Sequence, residues 1–285
     1  MLRDVLKDLK EDKVEGIDTG IKGLNSLVDE HHQKGWRPGE LIVIAAGTGE
    51  GKTTLMVNFA IDAFKDFSKK GAVLFFSVEM QGAVLMKKII VRELSRMGIK
   101  KPESGFKEIE NSKTIEAMSW MDDSFIIDSS PDLMPSNIYE KSHDIMDKQG
   151  LKAVFVDYSQ RIDPEEKHQN RERDVRDVAK FLKSLAVDLN VPVITGAQIN
   201  RNKEIRREIR REVNAEIPKI SDLRESDSLG HEADIVIFIQ SPTKGTKKYP
   251  ENYIDLYLSK NRHGKTGKLP LIFDKDAQDF IEIKK

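Results

Sequence analysis

The chain of 285 residues contains no cysteine, which excludes a disulfide-bonded scaffold and a thiolate metal site. It has no long apolar run either: residues 41–46 and 72–76 fall far short of the roughly 18 residues of a membrane-spanning helix. Neither sign of charge dominates, since 47 Lys and Arg face 48 Asp and Glu, so a uniformly basic surface is excluded. The first residues alternate charged and apolar side chains where a signal peptide would be apolar. These absences predict a cytoplasmic protein without a membrane partner.

Apolar runs typical of strands alternate with amphipathic patterns typical of helices along most of the chain. The predicted strands are 41–46, 72–78, 125–128, 153–157, 191–196 and 234–240, and the predicted helices are 21–32, 54–65, 83–97, 135–149 and 174–189. Three further runs, 253–260, 268–273 and 280–283, follow without intervening helices and predict antiparallel strands. We therefore expect an α/β fold, with a mostly parallel sheet, helices on both faces and antiparallel strands at one edge.

The beginning of the chain has a pattern of its own. Leu2, Val5, Leu6 and Leu9 recur at helical spacing among charged residues, which predicts a short amphipathic helix over residues 1–13. Such a helix is too short to be stable alone. It is expected to pack on its own domain or on a neighbouring subunit.

Residues 46–53, AGTGEGKT, stand between a buried-strand pattern and a helical pattern. This is the spacing of a P-loop, with Ala46 in place of the usual first glycine. Glycines let backbone N–H groups curl around an anion, and a helix N-terminus adds unpaired donors. Lys52 is expected to reach the β- and γ-phosphates and Thr53 to bind Mg²⁺. The alternative is a glycine-rich turn before an ordinary helix.

The residues predicted to bind ATP or another nucleoside triphosphate belong to this loop and to one later strand. They are Gly47, Thr48, Gly49, Glu50, Gly51, Lys52, Thr53, Thr54 and Asp157.

Three polar residues stand at or after the ends of predicted strands, where ligands of open α/β sheets bind. Asp157 follows four apolar residues, the Walker-B form, and is expected to hold Mg²⁺. Glu79 can orient or deprotonate an attacking water, and Gln198 can sense a γ-phosphate. The alternatives are a turn aspartate, a helix-capping glutamate and a polar strand-end glutamine.

Residues 201–211 carry six basic and two acidic residues directly after the Gln198 strand. A basic loop next to a nucleotide sensor suits a motor that moves on a polyanion, so Arg206, Arg207 and Arg210 are candidates for binding DNA. The alternative is a solvated helix in which glutamates pair with basic residues at helical spacing.

Lys260 and Arg262 lie two positions apart at the end of a predicted strand and are expected to face the same side. Two cations reaching together suit a γ-phosphate, as an arginine finger supplied to a neighbouring subunit. The alternative is a basic edge strand that blocks aggregation.

A series of short motifs, taken in order, resembles the C-terminal motor domain of bacterial and phage replicative DNA helicases, the DnaB family. The motifs are GIDTG at 16–20, PGEL at 38–41, AAGTGEGKTT at 45–54, FSVEM at 76–80, VDYSQ at 156–160, NVPVI at 190–194, QINR at 198–201, SDLRES at 221–226, ADIV at 233–236 and SKNRHGKTG at 259–267. The resemblance covers about residues 14–283 and includes the alanine at position 46. It implies a RecA-like P-loop NTPase core over residues 14–285, preceded by a linker helix over residues 1–13.

The resemblance also implies roles for individual residues. Glu79 would be the catalytic carboxylate, and Lys260 with Arg262 would complete the site of the next subunit. Arg224, Glu225 and Ser226 match the loop that grips single-stranded DNA inside the ring. The implied activity is an ATP-dependent, ring-shaped helicase, usually a hexamer, that unwinds forked DNA, with a primase or a helicase loader as candidate partners.

One departure from the family concerns the beginning of the chain. Family members usually carry a separate N-terminal domain, whereas about 13 residues precede the motor here. This predicts either a minimal phage-type helicase or a motor that works with a separate partner. A RecA- or RadA-like recombination ATPase and a DNA-independent regulatory ATPase are the rival functions.

Overall fold

The computed structural model describes most of the chain. The described residues are 16–29, 34–66, 68, 70–99, 111–121, 123–131, 133–165, 167–199, 218–223, 227–241, 249–250 and 252–283. The predicted helix over residues 1–13 lies outside them. So do the candidate DNA-binding residues Arg206, Arg207, Arg210, Arg224, Glu225 and Ser226.

One sheet runs through the described part of the chain. Its strands are β1 (Leu41–Ala46), β2 (Ala72–Ser77), β3 (Phe125–Asp128), β4 (Leu151–Asp157), β5 (Val193–Gln198), β6 (Ile235–Gln240), β7 (Tyr253–Asn261), β8 (Gly267–Asp274) and β9 (Asp279–Glu282). They lie in the order β3-β2-β4-β5-β1-β6-β7-β8-β9. Strands β1 to β6 pair in parallel, and β7, β8 and β9 add antiparallel strands at one edge. The predicted fold class is confirmed.

Helices cover both faces of this sheet. They are α1 (Lys22–Val28), α2 (Lys52–Lys65), α3 (Gly82–Arg96), α4 (Asn111–Ala117), α5 (Pro135–Gln149), α6 (Arg171–Leu189) and α7 (Asp227–Glu232). One core packs α2 and α3 against the sheet through residues such as Leu55 and Ile89. The other packs α5 and α6 through residues such as Ile138 and Leu182. All six residues of β1 are buried, as expected of a continuous apolar strand covered on both sides.

Some element boundaries differ from prediction for physical reasons. Strand β5 begins at Val193 rather than at residue 191, because Pro192 has no N–H to give to a neighbouring strand. The strand also runs beyond the predicted residue 196, so that Gln198 is its last residue. Helix α1 ends at Val28, before the predicted residue 32. Helices α4 and α7 were not predicted, since 7 and 6 residues are too few for a clear amphipathic period. Among the described residues, no helix is long and apolar enough to cross a membrane.

Candidate functional site

The sheet topology brings the candidate nucleotide residues to one edge. In the register of the parallel strands, Ala46 pairs with Gln198 and Ser77 pairs with Asp157. The carboxyl ends of β1, β2, β4 and β5 therefore lie side by side, which is where open α/β sheets bind ligands. A cavity of about 380 Å³ opens at this edge, and the P-loop, Glu79 and Gln198 line it.

The P-loop is shaped by glycine and by the antiparallel edge of the sheet. Gly51 precedes α2 with φ +90°, a left-handed conformation that disfavours other residues. A Cβ placed on Gly51 would lie 2.8 Å from the ring of Phe273 and 2.9 Å from the ring of Phe280. These two rings stack with their centroids 4.4 Å apart. The β8–β9 hairpin thus forms a wall behind the loop.

Lys52, Thr53 and Asp157 form the centre of the site. The Thr53 hydroxyl donates to Oδ2 of Asp157 at 2.6 Å, and Nζ of Lys52 lies 3.4 Å from Oδ1. Both Lys52 Nζ and Asp157 Oδ1 are buried and have no hydrogen-bond partner among the described residues. Burial lowers the pKa of Lys52, against the opposing attraction of Asp157 and Glu79. A buried cation and a buried carboxylate oxygen that form an ion pair but lack hydrogen-bond partners fit a bound phosphate chain with Mg²⁺, which prefers oxygen ligands.

Two neighbours of this centre escaped the sequence reasoning. The ring of Tyr158 lies beneath Lys52, with Nζ 3.9 Å from the ring centroid. The Asp157–Tyr158 peptide bond is cis. Gly196 on β5 leaves room for the side chains of Lys52 and Asp157. A Cβ at this position would lie 3.0 Å from Oδ1 of Asp157 and 3.1 Å from Cδ of Lys52. Only the register of β4 against β5 shows these relationships, and no local motif marks Gly196.

Glu79 and Gln198 take the places expected of them. Glu79 is exposed two residues after β2 and lines the cavity. Gln198 lines the same cavity, and its backbone N–H donates to Oε1 of Gln160 at 3.3 Å. The structure therefore brings both within the same site as Lys52 and Asp157.

Thr54 faces a second polar group in the cavity. Nζ of Lys88 donates to Oε1 of Gln278 at 2.6 Å and to the Thr54 hydroxyl at 3.3 Å. Burial lowers the pKa of Lys88. Lys88 and Gln278 lie on α3 and in the β8–β9 turn, so sequence reasoning missed them as residues of the site. Glu50 points elsewhere: its carboxylate accepts the N–H of Gly47 at 3.2 Å, within the loop itself.

Lys260 and Arg262 lie at the other end of the parallel strands, where β1 and β6 begin. Asn261 at the end of β7 pairs with Ile235 at the start of β6, and Ile235 is also level with Ile42 of β1. The four residue steps from Ile42 to Ala46 correspond to about 13 Å at roughly 3.3 Å per residue. The structure therefore does not bring these cations to the P-loop of their own chain.

Within their own chain the two cations contact different groups. Lys260 donates to the carbonyl oxygens of Gly230 at 3.0 Å and His231 at 2.8 Å, near the end of α7. Arg262 lies just beyond β7 and reaches Oδ1 of Asp234 at 3.3 Å, with 65% of its side chain exposed. Burial lowers the pKa of Lys260.

The chain resembles known proteins over nearly its whole length. The sequence profile of the DnaB-like helicase C terminal domain family matches residues 16–282. The replicative DNA helicase DnaB of Mycoplasma genitalium is 31% identical over 94% of this chain and 56% of its own length. That of Buchnera aphidicola subsp. Schizaphis graminum is 34% identical over 92% of this chain and 54% of its own length. The chain thus spans little more than half of these curated relatives.

Solved structures support the fold. One solved ATPase domain superposes with a TM-score of 0.82 at 22% identity, covering 99% of this chain and 97% of that one. A DnaB-like replicative helicase, described with its interactions with primase, gives 0.81 at 24% identity over 99% of this chain and 66% of that one. At these identities the likeness concerns the fold alone. The family profile, however, matches the sequence from α1 to β9. The chain therefore belongs to the DnaB-like helicase C-terminal domain family.

Proposed function

We propose that this chain is the ATP-driven motor of a replicative DNA helicase, which assembles as a hexameric ring and moves along single-stranded DNA. The observation that carries the proposal is the family match, because it includes the P-loop, the Asp157 strand and the Arg262 segment together. The curated relatives named above are replicative DNA helicases. We further propose that residues 14–285 form one ATPase domain and residues 1–13 a linker helix.

The nucleotide chemistry follows from the residues at the carboxyl edge of the sheet. Lys52 and the P-loop N–H groups would bind the phosphates of ATP, and Thr53 with Asp157 would hold Mg²⁺. The metal ion supplies charge neutralisation for the transferred phosphoryl group. Glu79 would orient or deprotonate the attacking water, and Gln198 would report the loss of the γ-phosphate to the segment that follows β5.

The distance between the P-loop and the two cations Lys260 and Arg262 of the same chain supports a ring. Arg262 and Lys260 lie at the edge opposite to their own P-loop, so they can reach a nucleotide only on a neighbouring chain. The exposed guanidinium of Arg262 suits this role, because an arginine finger supplied to a neighbouring chain has to reach beyond the surface of its own chain. Lys260 would accompany it from its position beside α7.

The DNA contacts are proposed for two segments that lie between β5 and β6 in sequence. Arg206, Arg207 and Arg210 would contact phosphates from one of them, and the loop that contains Arg224, Glu225 and Ser226 would grip the DNA backbone from the other. Binding to phosphates carries no sequence information, so we expect sequence-independent and salt-sensitive affinity. A primase or helicase loader is a proposed partner, and the cytoplasm of a bacterial or phage-infected cell the proposed location.

The test measures ATP turnover and strand separation on a forked duplex, at protein concentrations high enough for assembly. We expect turnover to rise with single-stranded DNA and the duplex to separate only when ATP is hydrolysed. An ATP turnover rate that is the same with and without DNA would contradict the proposal and favour a regulatory ATPase. Helical filaments that pair strands without unwinding would replace it with a recombinase.

A further inference from the structure

A second cavity lies beside the nucleotide site and has no role in the chemistry above. It measures about 930 Å³ and lies between the turn that follows β4 and the N-terminal part of α6. Arg161, Asp163, Lys167 and Arg171 contribute to its lining, and we call it the turn cleft. Gln198 lines both this cleft and the nucleotide cavity, so the two are adjacent.

Tyr158 connects the floor of the nucleotide site to this cleft. The residue is 7% exposed, and one face of its ring lies 3.9 Å from Nζ of Lys52. Nζ of Lys52 has no hydrogen-bond partner among the described residues, so the ring and the Asp157 carboxylate are the groups that hold it. A cation over an aromatic face is attracted by the ring, more strongly when both are away from water.

The other end of Tyr158 meets Arg161. The phenol oxygen accepts a hydrogen bond from Nε of Arg161 at 3.2 Å, and the guanidinium carbon lies 6.0 Å from the ring centroid. Arg161 is exposed and closes the short 3₁₀ turn Ser159–Arg161. The Ser159 hydroxyl ties the same turn to β5 by donating to the carbonyl of Gly196 at 3.1 Å.

Charge in the turn cleft favours an anion at Arg161. Lys167 is paired with Asp163 at 3.1 Å, and His168 is paired with Asp174 at 2.9 Å. Arg161, by contrast, forms no salt bridge among the described residues: Glu79 attracts it only at longer range, and its side chain donates to the Tyr158 hydroxyl. A guanidinium exposed in a cleft offers the planar donors that match a phosphate.

We propose that Tyr158 is a positioning residue for Lys52, and that Arg161 makes this positioning responsive to a DNA backbone phosphate in the turn cleft. A phosphate bound there would compete with the Tyr158 hydroxyl for the Arg161 donors. The ring that supports Lys52 would then respond to DNA in the cleft. This inference rests on the proposed helicase function and adds a route from DNA to the P-loop.

The first experiment tests the support of Lys52 with the full chain and a fluorescent ATP analogue. Tyr158→Leu, which removes the ring, is expected to weaken nucleotide binding roughly 3- to 30-fold. Tyr158→Phe, which keeps the ring, is expected to restore most of that affinity. Equal affinities for Tyr158→Leu and the parent protein, both shown folded by thermal melting, would overturn the positioning role.

The second experiment tests the response to DNA. The readout is the ratio of ATP turnover with and without an oligo(dT) strand. Tyr158→Phe and Arg161→Gln are each expected to lower this ratio severalfold, and the double variant no further, because they break one link. Arg176→Gln removes an exposed arginine of α6 outside the cleft and serves as the matched control. Losses that simply multiply in the double variant would overturn the link.

The outcomes separate this inference from the proposed function. If the parent protein shows no stimulation by oligo(dT), the helicase proposal and the Arg161 response both fail. The support of Lys52 is still decided by nucleotide binding alone. If the parent is stimulated and both single variants keep the full ratio, the helicase proposal stands and the link through Tyr158 is wrong.

Discussion

The Thr53 hydroxyl donates a 2.6 Å hydrogen bond to Oδ2 of Asp157, which lies 104 positions later in the chain. This bond joins the first turn of α2 to the end of β4. The two elements are therefore already in contact where a phosphate and a metal ion would bind. Preformed geometry of this kind reduces the reorganisation needed at the moment of reaction.

Replacing Lys52 by alanine is expected to abolish ATP binding and to lower turnover by roughly 10²–10³-fold or more, because the cation nearest Asp157 is removed. Nucleotide titration and a phosphate-release assay measure both effects. Lys148→Ala is the control and should change neither, because the Lys148 side chain is 70% exposed and pairs with Asp144 on the surface. Normal nucleotide affinity in Lys52→Ala would contradict the assignment of the site.

Gly196→Ala is expected to reduce turnover by about tenfold or more while the protein stays folded, since the added methyl lies 3.0 Å from Oδ1 of Asp157. Steady-state turnover and thermal melting separate the two effects. Gly82→Ala is the matched control, because a methyl at Gly82 has its nearest neighbour at 3.4 Å. Full activity in Gly196→Ala would mean that the Lys52–Asp157 pair tolerates displacement.

Arg262→Ala is expected to keep nucleotide binding and to lose turnover by about 10³–10⁵-fold, as removal of an arginine finger does. The fold should survive, because the Arg262 side chain is 65% exposed and Asp234 keeps its ion pair with Lys183 at 2.6 Å. The measurement compares nucleotide affinity with turnover in one preparation. Normal turnover in Arg262→Ala would contradict the assignment of Arg262 as an arginine finger.

Mixing variants tests whether the finger acts between chains. Lys52→Ala and Arg262→Ala chains are each expected to be inactive alone. Their mixture regains part of the activity, since some interfaces combine an intact P-loop with an intact Arg262. A mixture of Lys52→Ala with the double variant contains no intact interface and is the control. No recovery in the first mixture would place Arg262 outside the neighbour's site.

Glu40→Gln is expected to change how stability depends on pH. Burial raises the pKa of Glu40 from 4.5 to about 7, with a smaller contribution from Asp234 and an opposing hydrogen bond from the Arg37 N–H. Between these values the unfolded chain has lost a proton that the folded chain still holds, so this carboxyl destabilises the fold progressively as pH rises to 7. The neutral variant should be more stable than the parent by about 1–3 kcal/mol above pH 7 and similar to it near pH 4. Urea unfolding across this range decides, and a difference independent of pH would contradict the buried carboxyl.

Much of the fold was predictable because burial leaves a clear pattern. Strand β1 is apolar at every position since helices cover both of its faces. The antiparallel edge followed from three strand patterns without helices between them. The order of the strands had no counterpart in local sequence, because long-range pairing decides which parallel strands become neighbours.

The site was predictable where it is local in sequence. Lys52 and Thr53 sit in a contiguous motif, and Asp157 follows an apolar strand. Tyr158, Gly196 and Lys88 gained their places only through the packing of β4, β5 and α3, so no spacing rule could indicate them. The carbonyl contacts of Lys260 depend on α7, a helix too short to be predicted.

The stacked rings of Phe273 and Phe280 place the antiparallel edge of the sheet directly against Gly51 of the P-loop. Gly51 packs closely against both rings because it has no Cβ, so the hairpin and the loop should loosen together during partial unfolding. Hydrogen exchange in β8 and β9 should slow when nucleotide binds, although these strands contribute neither Lys52 nor Asp157. Hydrogen exchange in the antiparallel strands should therefore show whether nucleotide is bound at the P-loop, although the two segments are far apart in sequence.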